Sequence, residues 1–431
     1  MDIWKRIVFA LLVLILGIIA IDYVNSEQLN YPIIRSDGEG YYAYLPAIFL
    51  YHDISLRTLV AGPLHGIAPQ GASIWADTTR YFIKYPAGEA ILMTPFFLMG
   101  SVVTYFDNNG KGLNGYSPHF QHAAAYSGLF YTAIGLFLLW TVLQNYFKKS
   151  TIVIVLTGLL FGTNLFHYAT YDAIFSHTYS FFLFALFLFF VERVYKGGNL
   201  INYVALGIAG GLIIITRPTN GLWLLFGILF GINTMPDIYA RLEFWKINWV
   251  KFLILLVAFL SVISIQLLYW KVITGSFIVY AYGGEQFNFT KPEILKVLFS
   301  VRKGLFFWAP ILLSVFPGLY FTRKKAKEYF LPILVFFPIN IYVISSWYCW
   351  WYGGSFGQRP FVESLPLFAI TLCSLYEGVD SKRGKRVILF AIVTACILSV
   401  WLMLKYWFGT LPFDGVTWDH FINTFFTLRK Q

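Results

Sequence analysis

The chain has 431 residues, of which 58% are hydrophobic and only 12% charged, and its mean hydropathy is +0.65. A soluble chain carries about 25% charge, so this one lacks the charges to coat a water-facing surface, and a soluble enzyme, a disordered chain and a secreted disulfide scaffold are excluded. The net charge of +11 comes without a basic tail or basic helix to grip a phosphate backbone, so nucleic acid is not an expected partner, and three cysteines form no framework and no CxxC site.

In chain order, the first apolar run is Ile7 to Ile21, preceded by Lys5 and Arg6 and followed by no small-x-small cleavage site. We read it as an uncleaved anchor with its N-terminus inside. Further runs cover about 122–147, 151–168, 174–191, 201–216, 219–234, 252–270, 305–322, 329–346, 362–376 and 387–404. Together they predict an all-α, polytopic transmembrane bundle of about 11 spans in one domain, 1–431. The run 87–105 is ambiguous, because it opens with Pro86 and carries Glu89 and Pro95.

Counting charge favours a juxtamembrane or re-entrant helix there over a span. If 87–105 does not cross, one face collects Lys5/Arg6, Lys148/Lys149, Arg193/Lys196, Arg241/Lys246/Lys251, Arg323/Lys324/Lys325/Lys327 and Lys382/Arg383/Lys385/Arg386. That is 17 of the 32 basic residues against seven acids, a net of +10 inside, and it leaves +1 outside. If 87–105 did cross, every later cluster would face out, against the positive-inside rule. The expected layout is therefore a long outer loop at 22–121 with juxtamembrane helices, a second at 271–304, and an outer C-terminal tail at 405–431. We place the chain in a bacterial inner membrane, N-terminus cytoplasmic and site periplasmic, with membrane lipids as its surroundings.

The residues with chemistry converge on the outer face. Asp37-Gly38-Glu39-Gly40-Tyr41-Tyr42 puts two carboxylates between glycines, in a chain sparing with acids; close backbone approach and an unusual turn are expected there. Lys84-Tyr85-Pro86 precedes the ambiguous helix and offers a cation at the membrane surface. His167, Asp172 and His177 crowd a tight turn, where helix capping competes with function, and their spacing matches no trusted zinc motif. Arg217 sits between two apolar runs, where a charge needs a partner or a bound anion. Arg302 enters a later span, with snorkelling as its plain explanation. The segment from Trp347 to Pro360 holds Trp350 and Trp351, then a Gly-rich stretch with Gln358 and Arg359; Glu363 lies one turn further on, placed to orient Arg359.

The acidic motif after the first span and the Lys84-Tyr85-Pro86-Ala87-Gly88 stretch resemble elements of the GT-C glycosyltransferases. Asp172 is similar to the second acidic position of the protein O-mannosyltransferase and aminoarabinose-transferase branch. Ser176-His177 and Ser355-Phe356-Gly357-Gln358-Arg359 resemble features of a bacterial GT-C-like subgroup. The chain departs from the branch in the glycine between its two acids and has no large C-terminal soluble domain.

The resemblance implies inverting transfer of a sugar from a polyprenyl-phosphate donor to the hydroxyl of a lipid, glycan or protein acceptor in the cell envelope. Asp37 is then the base, with Glu39 second. Arg217, Arg359, Lys84 and Arg302 meet the lipid phosphate. Tyr41, Tyr42, Asp172, His177, Trp350, Trp351, Gln358 and Glu363 form the substrate surround. Some members of the family use a divalent metal, but no ligand cluster here compels one. The competing classes are a flippase or transporter of lipid-linked glycans and a non-catalytic subunit that binds a lipid-linked sugar. A flippase would carry ionisable residues deep in several spans; here they gather at one face.

Overall fold

The computed structural model describes residues 2–25, 32–76 and 78–429. Parts of the first long loop, 26–31 and residue 77, lie outside them. The protein is a helical membrane bundle, and its one described sheet is a hairpin of two three-residue strands, β1 (Ala72–Ile74) and β2 (Tyr81–Ile83). The long helices are α1 (Asp2–Asn25), α2 (Ser36–Tyr42, short but central to the site), α3 (Gly88–Asn108), α4 (Pro118–Leu143), α5 (Lys149–Gly162), α6 (Ser176–Tyr195) and α7 (Leu200–Thr216). They continue as α8 (Trp249–Thr274), α9 (Val315–Lys325), α10 (Phe330–Ser345), α11 (Leu365–Gly378) and α12 (Lys382–Trp407). Among the described residues, seven helices are long and apolar enough to cross a membrane: α1, α3, α4, α6, α8, α12 and α10 with the turn before it.

Cross-helix bonds define two ends of the bundle. At one end, Arg6 donates to Thr141 at 2.9 Å, Asn145 and Tyr329 donate to Glu192 at 2.6 and 2.7 Å, and the Lys148 N–H donates to Glu377 at 2.6 Å. The basic clusters counted above gather there. The opposite end carries Asp37, His177, Arg217 and Arg359. Helix α1 packs on α4 through Gly17, where a Cβ would stand 2.2 Å from a Leu129 methyl; a small residue lets the two backbones close up.

Four apolar runs are interrupted rather than continuous, 151–168 among them, which breaks at Thr163-Asn164. The run 219–234 becomes a 3-10 turn (Pro218–Trp223) and a six-residue helix (Leu224–Leu229). It stops at Gly231, whose φ is +76°, and Thr234 and Asp237 then box in a mostly surface-facing helix at Met235–Ile247. The run 305–322 breaks at Ala309-Pro310, because proline has no N–H to continue a helix. The run 362–376 opens in a 3-10 turn, Arg359–Ser364, with Pro360 at its start. Helix α12 continues to Trp407, so the tail begins two or three residues later than expected.

Helix α3 is the ambiguous run. It suffices for a span by length and composition, yet its contacts with α4 lie in the half nearer the site end. Asp107 meets His119 at 2.8 Å, Phe97 packs on Phe120, and the Leu92 carbonyl accepts from Tyr131. Helix α1 follows α4 over a longer stretch, from Tyr126 and Leu129 to Thr141. Gly88 rests on the Ile215 carbonyl at the end of α7, where a Cβ would be 2.6 Å away. The distal half of α3 exposes Leu98, Met99, Val102, Val103, Tyr105 and Phe106.

Candidate active site

The loop between α1 and α4 supplies one side of a cavity of about 520 Å³. In α2, residues 37 and 41 are one turn apart, and both Asp37 and Tyr41 line the cavity. Position 39 is about 200° around the helix from position 37, so Glu39 points elsewhere, with its carboxylate accepting from the Gln70 N–H at 3.3 Å. The glycines do not make an unusual turn, since neither has a positive φ and both are helical. They provide the expected close approach: a Cβ on Gly38 would lie 2.8 Å from the Ile174 carbonyl oxygen, and one on Gly40 2.2 Å from that of Gln70. Helix α2 is thus wedged between the 171–175 turn and the β-hairpin region.

The hairpin delivers Lys84 and Tyr85. Tyr85 donates its phenolic hydrogen to Asp37 Oδ1 at 2.7 Å, and its carbonyl accepts from Tyr44. Arg359, in the 3-10 turn before α11, meets Asp37 Oδ2 at 2.9 Å. Arg217 caps α7 and pairs with Glu363 Oε1 at 2.9 Å; it also donates to His177 Nδ1, on the first turn of α6, at 3.0 Å. Lys84 pairs at 2.7 Å with Glu285, from the loop after α8, and lies over the rings of Tyr85 and Tyr282. The cavity thus meets three cations, each matched to a carboxylate. One side of its remaining wall is apolar, with Trp270 from α8, Val279 and Phe287 from the following loop, and Val343, Ile344 and Trp347 from α10 and just after it, while Thr219, Asn220 and Asn340 are polar.

Burial pushes the Asp37 carboxyl up, but Arg359, the Tyr85 hydroxyl and Lys84 outweigh it and hold the group below the ordinary carboxylate value. Burial raises Glu39, with only the Gln70 N–H opposing. A divalent cation does not fit this donor set. Asp37, Glu285 and Glu363 each already face a guanidinium or ammonium group, and the ion would have to sit among three positive charges.

The structure brings together Asp37, Tyr41, Lys84, His177, Arg217, Arg359 and Glu363, and it leaves the other nominated residues outside the cavity lining. Tyr42 is buried behind α2 between Phe97 and Tyr116, with its hydroxyl on the Gly115 carbonyl. Arg302 is clamped in a fork by Asp414, with two bonds of 2.9 Å, and lies 3.8 Å over the Trp351 ring. Gln358 donates to the Trp350 carbonyl at 3.0 Å, which folds the aromatic segment onto itself. These residues staple loops together. Tyr85, named in the sequence only as part of the Lys84 motif, also faces the cavity, as do Tyr282 and Glu285, which the sequence does not single out; the signal for Glu285 is an isolated acid after Gly283-Gly284 in a chain poor in acids.

Asp172 lies beside the cavity as a structural anchor. It pairs with Arg35 at 2.9 Å and with His167 Nε2 at 2.9 Å, and its side chain is 8% exposed. The Trp407 indole donates to His167 Nδ1, which leaves the hydrogen of His167 on Nε2, directed at Asp172. The chain α12–His167–Asp172–Arg35 thereby fixes the entry to α2. Burial raises the Asp172 carboxyl, but His167 and Arg35 bring it down to about 2. A group lowered in the folded state stabilises above its unfolded value, near 3.8, and loses that contribution as pH falls toward 2. Asp172→Asn is expected to cost about 2 kcal/mol at neutral pH. Its thermal midpoint should fall less steeply than that of the wild type between pH 4 and pH 2. Parallel pH curves for the two proteins would refute the assignment.

The bundle brings these charged groups together at one end, beneath a long first loop. Among solved structures, the chain is similar to the archaeal oligosaccharyltransferase AglB from Archaeoglobus fulgidus, in complex with an inhibitory peptide and a dolichol-phosphate. The TM-score is 0.50 at 11% identity, and the match covers 99% of this chain and 60% of that one. This chain therefore spans about three-fifths of that protein's length, and the likeness is one of fold. No protein-family model and no curated protein sequence matches.

Proposed function

We propose that this protein is an inverting glycosyltransferase that moves a sugar from a polyprenyl-phosphate donor to an acceptor hydroxyl at the outer, periplasmic face of its membrane. The observation that carries this reading is the facing of Asp37 and three cations, Arg359, Arg217 and Lys84, across a cavity with an apolar wall. A lipid phosphate needs such cations, because negative charge builds on its oxygen as the sugar leaves. An isoprenoid needs an apolar wall, here built by α8 and α10, whose outer faces carry exposed apolar side chains such as Leu260, Leu268 and Leu334. A hydroxyl nucleophile needs a base within reach, and Asp37 is the carboxylate placed for it. Tyr41 offers a ring for a sugar face. The fold shared with a protein solved with dolichol-phosphate and a peptide supports a lipid-phosphate donor.

The test is transfer by the purified protein in vesicles supplied with a radiolabelled polyprenyl-phosphate sugar and a membrane extract as acceptor. We expect label to move to an acceptor with inversion at the anomeric carbon and release of polyprenyl phosphate. Movement of intact donor across the vesicle without release of polyprenyl phosphate would replace this reading with a flippase. Binding of donor with neither outcome would leave a carrier subunit.

A further inference from the structure

All three cation–carboxylate pairs at the cavity are closed, yet they are not equally accessible. Glu363 is sealed, its side chain 1% exposed, so a ligand in the cavity cannot replace it on Arg217 without dismantling the wall. The Lys84–Glu285 pair, 21% and 31% exposed, and the Asp37–Arg359 pair, 27% and 14%, are both open to the cavity, and of these two only the second holds the nominated base. Both Asp37 oxygens are occupied, Oδ1 by the Tyr85 hydroxyl and Oδ2 by Arg359. A carboxylate held by a guanidinium and a phenol is a poor acceptor for a hydroxyl proton, since its charge is already satisfied. The group placed to act as base is thus locked by the cation placed to bind the donor.

We propose that the Asp37–Arg359 ion pair is a latch opened by the donor: the lipid phosphate takes Arg359 from Asp37, and only then is Asp37 free to act as base. This rests on the reading of the site as one for a lipid-phosphate sugar. Phosphate and carboxylate compete for the same planar fork, and the phosphate brings more acceptor oxygens in more orientations. With Oδ2 released, an acceptor hydroxyl can bond to it. In the step that follows, the acceptor O–H bond breaks and its proton goes to Asp37 Oδ2. The acceptor oxygen bonds to the anomeric carbon, and the bond from that carbon to the phosphate oxygen breaks. Its electron pair stays on the phosphate, held by Arg359. The consequence is order: the acceptor is not activated before the donor is seated. Tyr85 keeps Oδ1 fixed throughout, so release changes the charge environment of Asp37 without moving it.

The decisive measurement is the affinity of the full-length protein in detergent for polyprenyl monophosphate, compared between wild type and Asp37→Asn. The latch makes Asp37 a competitor for Arg359, so the neutral variant should bind about tenfold tighter, the worth of one charge-assisted bond. Equal or weaker binding by the variant overturns the latch and leaves the glycosyltransferase reading intact. No binding by either protein overturns that reading, and the latch with it. Should Asp37→Asn prove unfolded by its thermal midpoint, the wild type decides alone, by infrared difference spectroscopy on protein labelled with ¹³C-aspartate. Addition of polyprenyl monophosphate should shift one aspartate carboxylate band. An unchanged aspartate spectrum at saturation would overturn the latch.

Discussion

Asp37→Asn should lower kcat for sugar transfer by about 10³-fold while leaving the protein folded in the membrane. The substitution keeps the size of the side chain and leaves Oδ1 as an acceptor for the Tyr85 hydroxyl, so the packing of α2 between Ile174 and Gln70 is undisturbed. What it removes is the property a base needs, an ionised carboxylate oxygen that can accept the hydroxyl proton. Arg359 loses its partner but faces the cavity, where water can solvate it. The loss should therefore appear in kcat, with the thermal midpoint within a few degrees of the wild type. Full activity in this variant would remove Asp37 as the base, and Glu39, which faces away from the cavity, could not take its place without refolding α2.

The second large effect is structural. Glu363→Ala is expected to destabilise the protein by about 3–5 kcal/mol, because it empties a site only 1% exposed and removes the carboxylate that ties Arg217 and His177 to the turn before α11. The Arg217 side chain is only 18% exposed, and its N–H groups would keep just the His177 ring from the original triad. Replacing both partners by apolar residues of similar volume, Arg217→Met with Glu363→Leu, should recover most of that stability, since neither charge then remains buried. It should not recover transfer if Arg217 is needed for the donor phosphate. Thermal midpoints of the two variants, measured beside their transfer rates, separate the two roles. A Glu363→Ala protein as stable as the wild type would show that the pair does not hold α6, α7 and the turn before α11 together.

Much of this architecture is legible in the residues. The apolar runs and basic clusters order the helices, because both signals are local: a span needs about 20 apolar residues and a face needs its lysines nearby. The convergence of Asp37, Lys84, Arg217 and Arg359 at one end follows from the same bookkeeping. Pairing was not legible. That Arg359 meets Asp37 rather than Glu363, and that Glu363 meets Arg217, depends on the path of a 3-10 turn set by Pro360, which no periodicity reports. Asp172 and Arg302 read as site residues because isolated charges near a membrane surface suggest function; their partners, His167, Arg35 and Asp414, lie between 5 and 137 residues away in sequence. The placement of α3 against α4 is hidden for a different reason. Its composition suits a span, and only its neighbours along α4 reveal which half of the bundle it accompanies.

The pitch of α2 has a bearing on how this protein can vary. Asp37 and Glu39 are written two letters apart and read as one acidic motif, but the helix sends them to opposite sides, one to the cavity and one to a backbone N–H of the loop. Their fates under mutation are therefore independent. Position 39 can drift among residues that tolerate partial burial, whereas positions 38 and 40 admit no side chain and the proposed mechanism requires the charge at position 37. A lineage could lose half of the motif and keep the site whole.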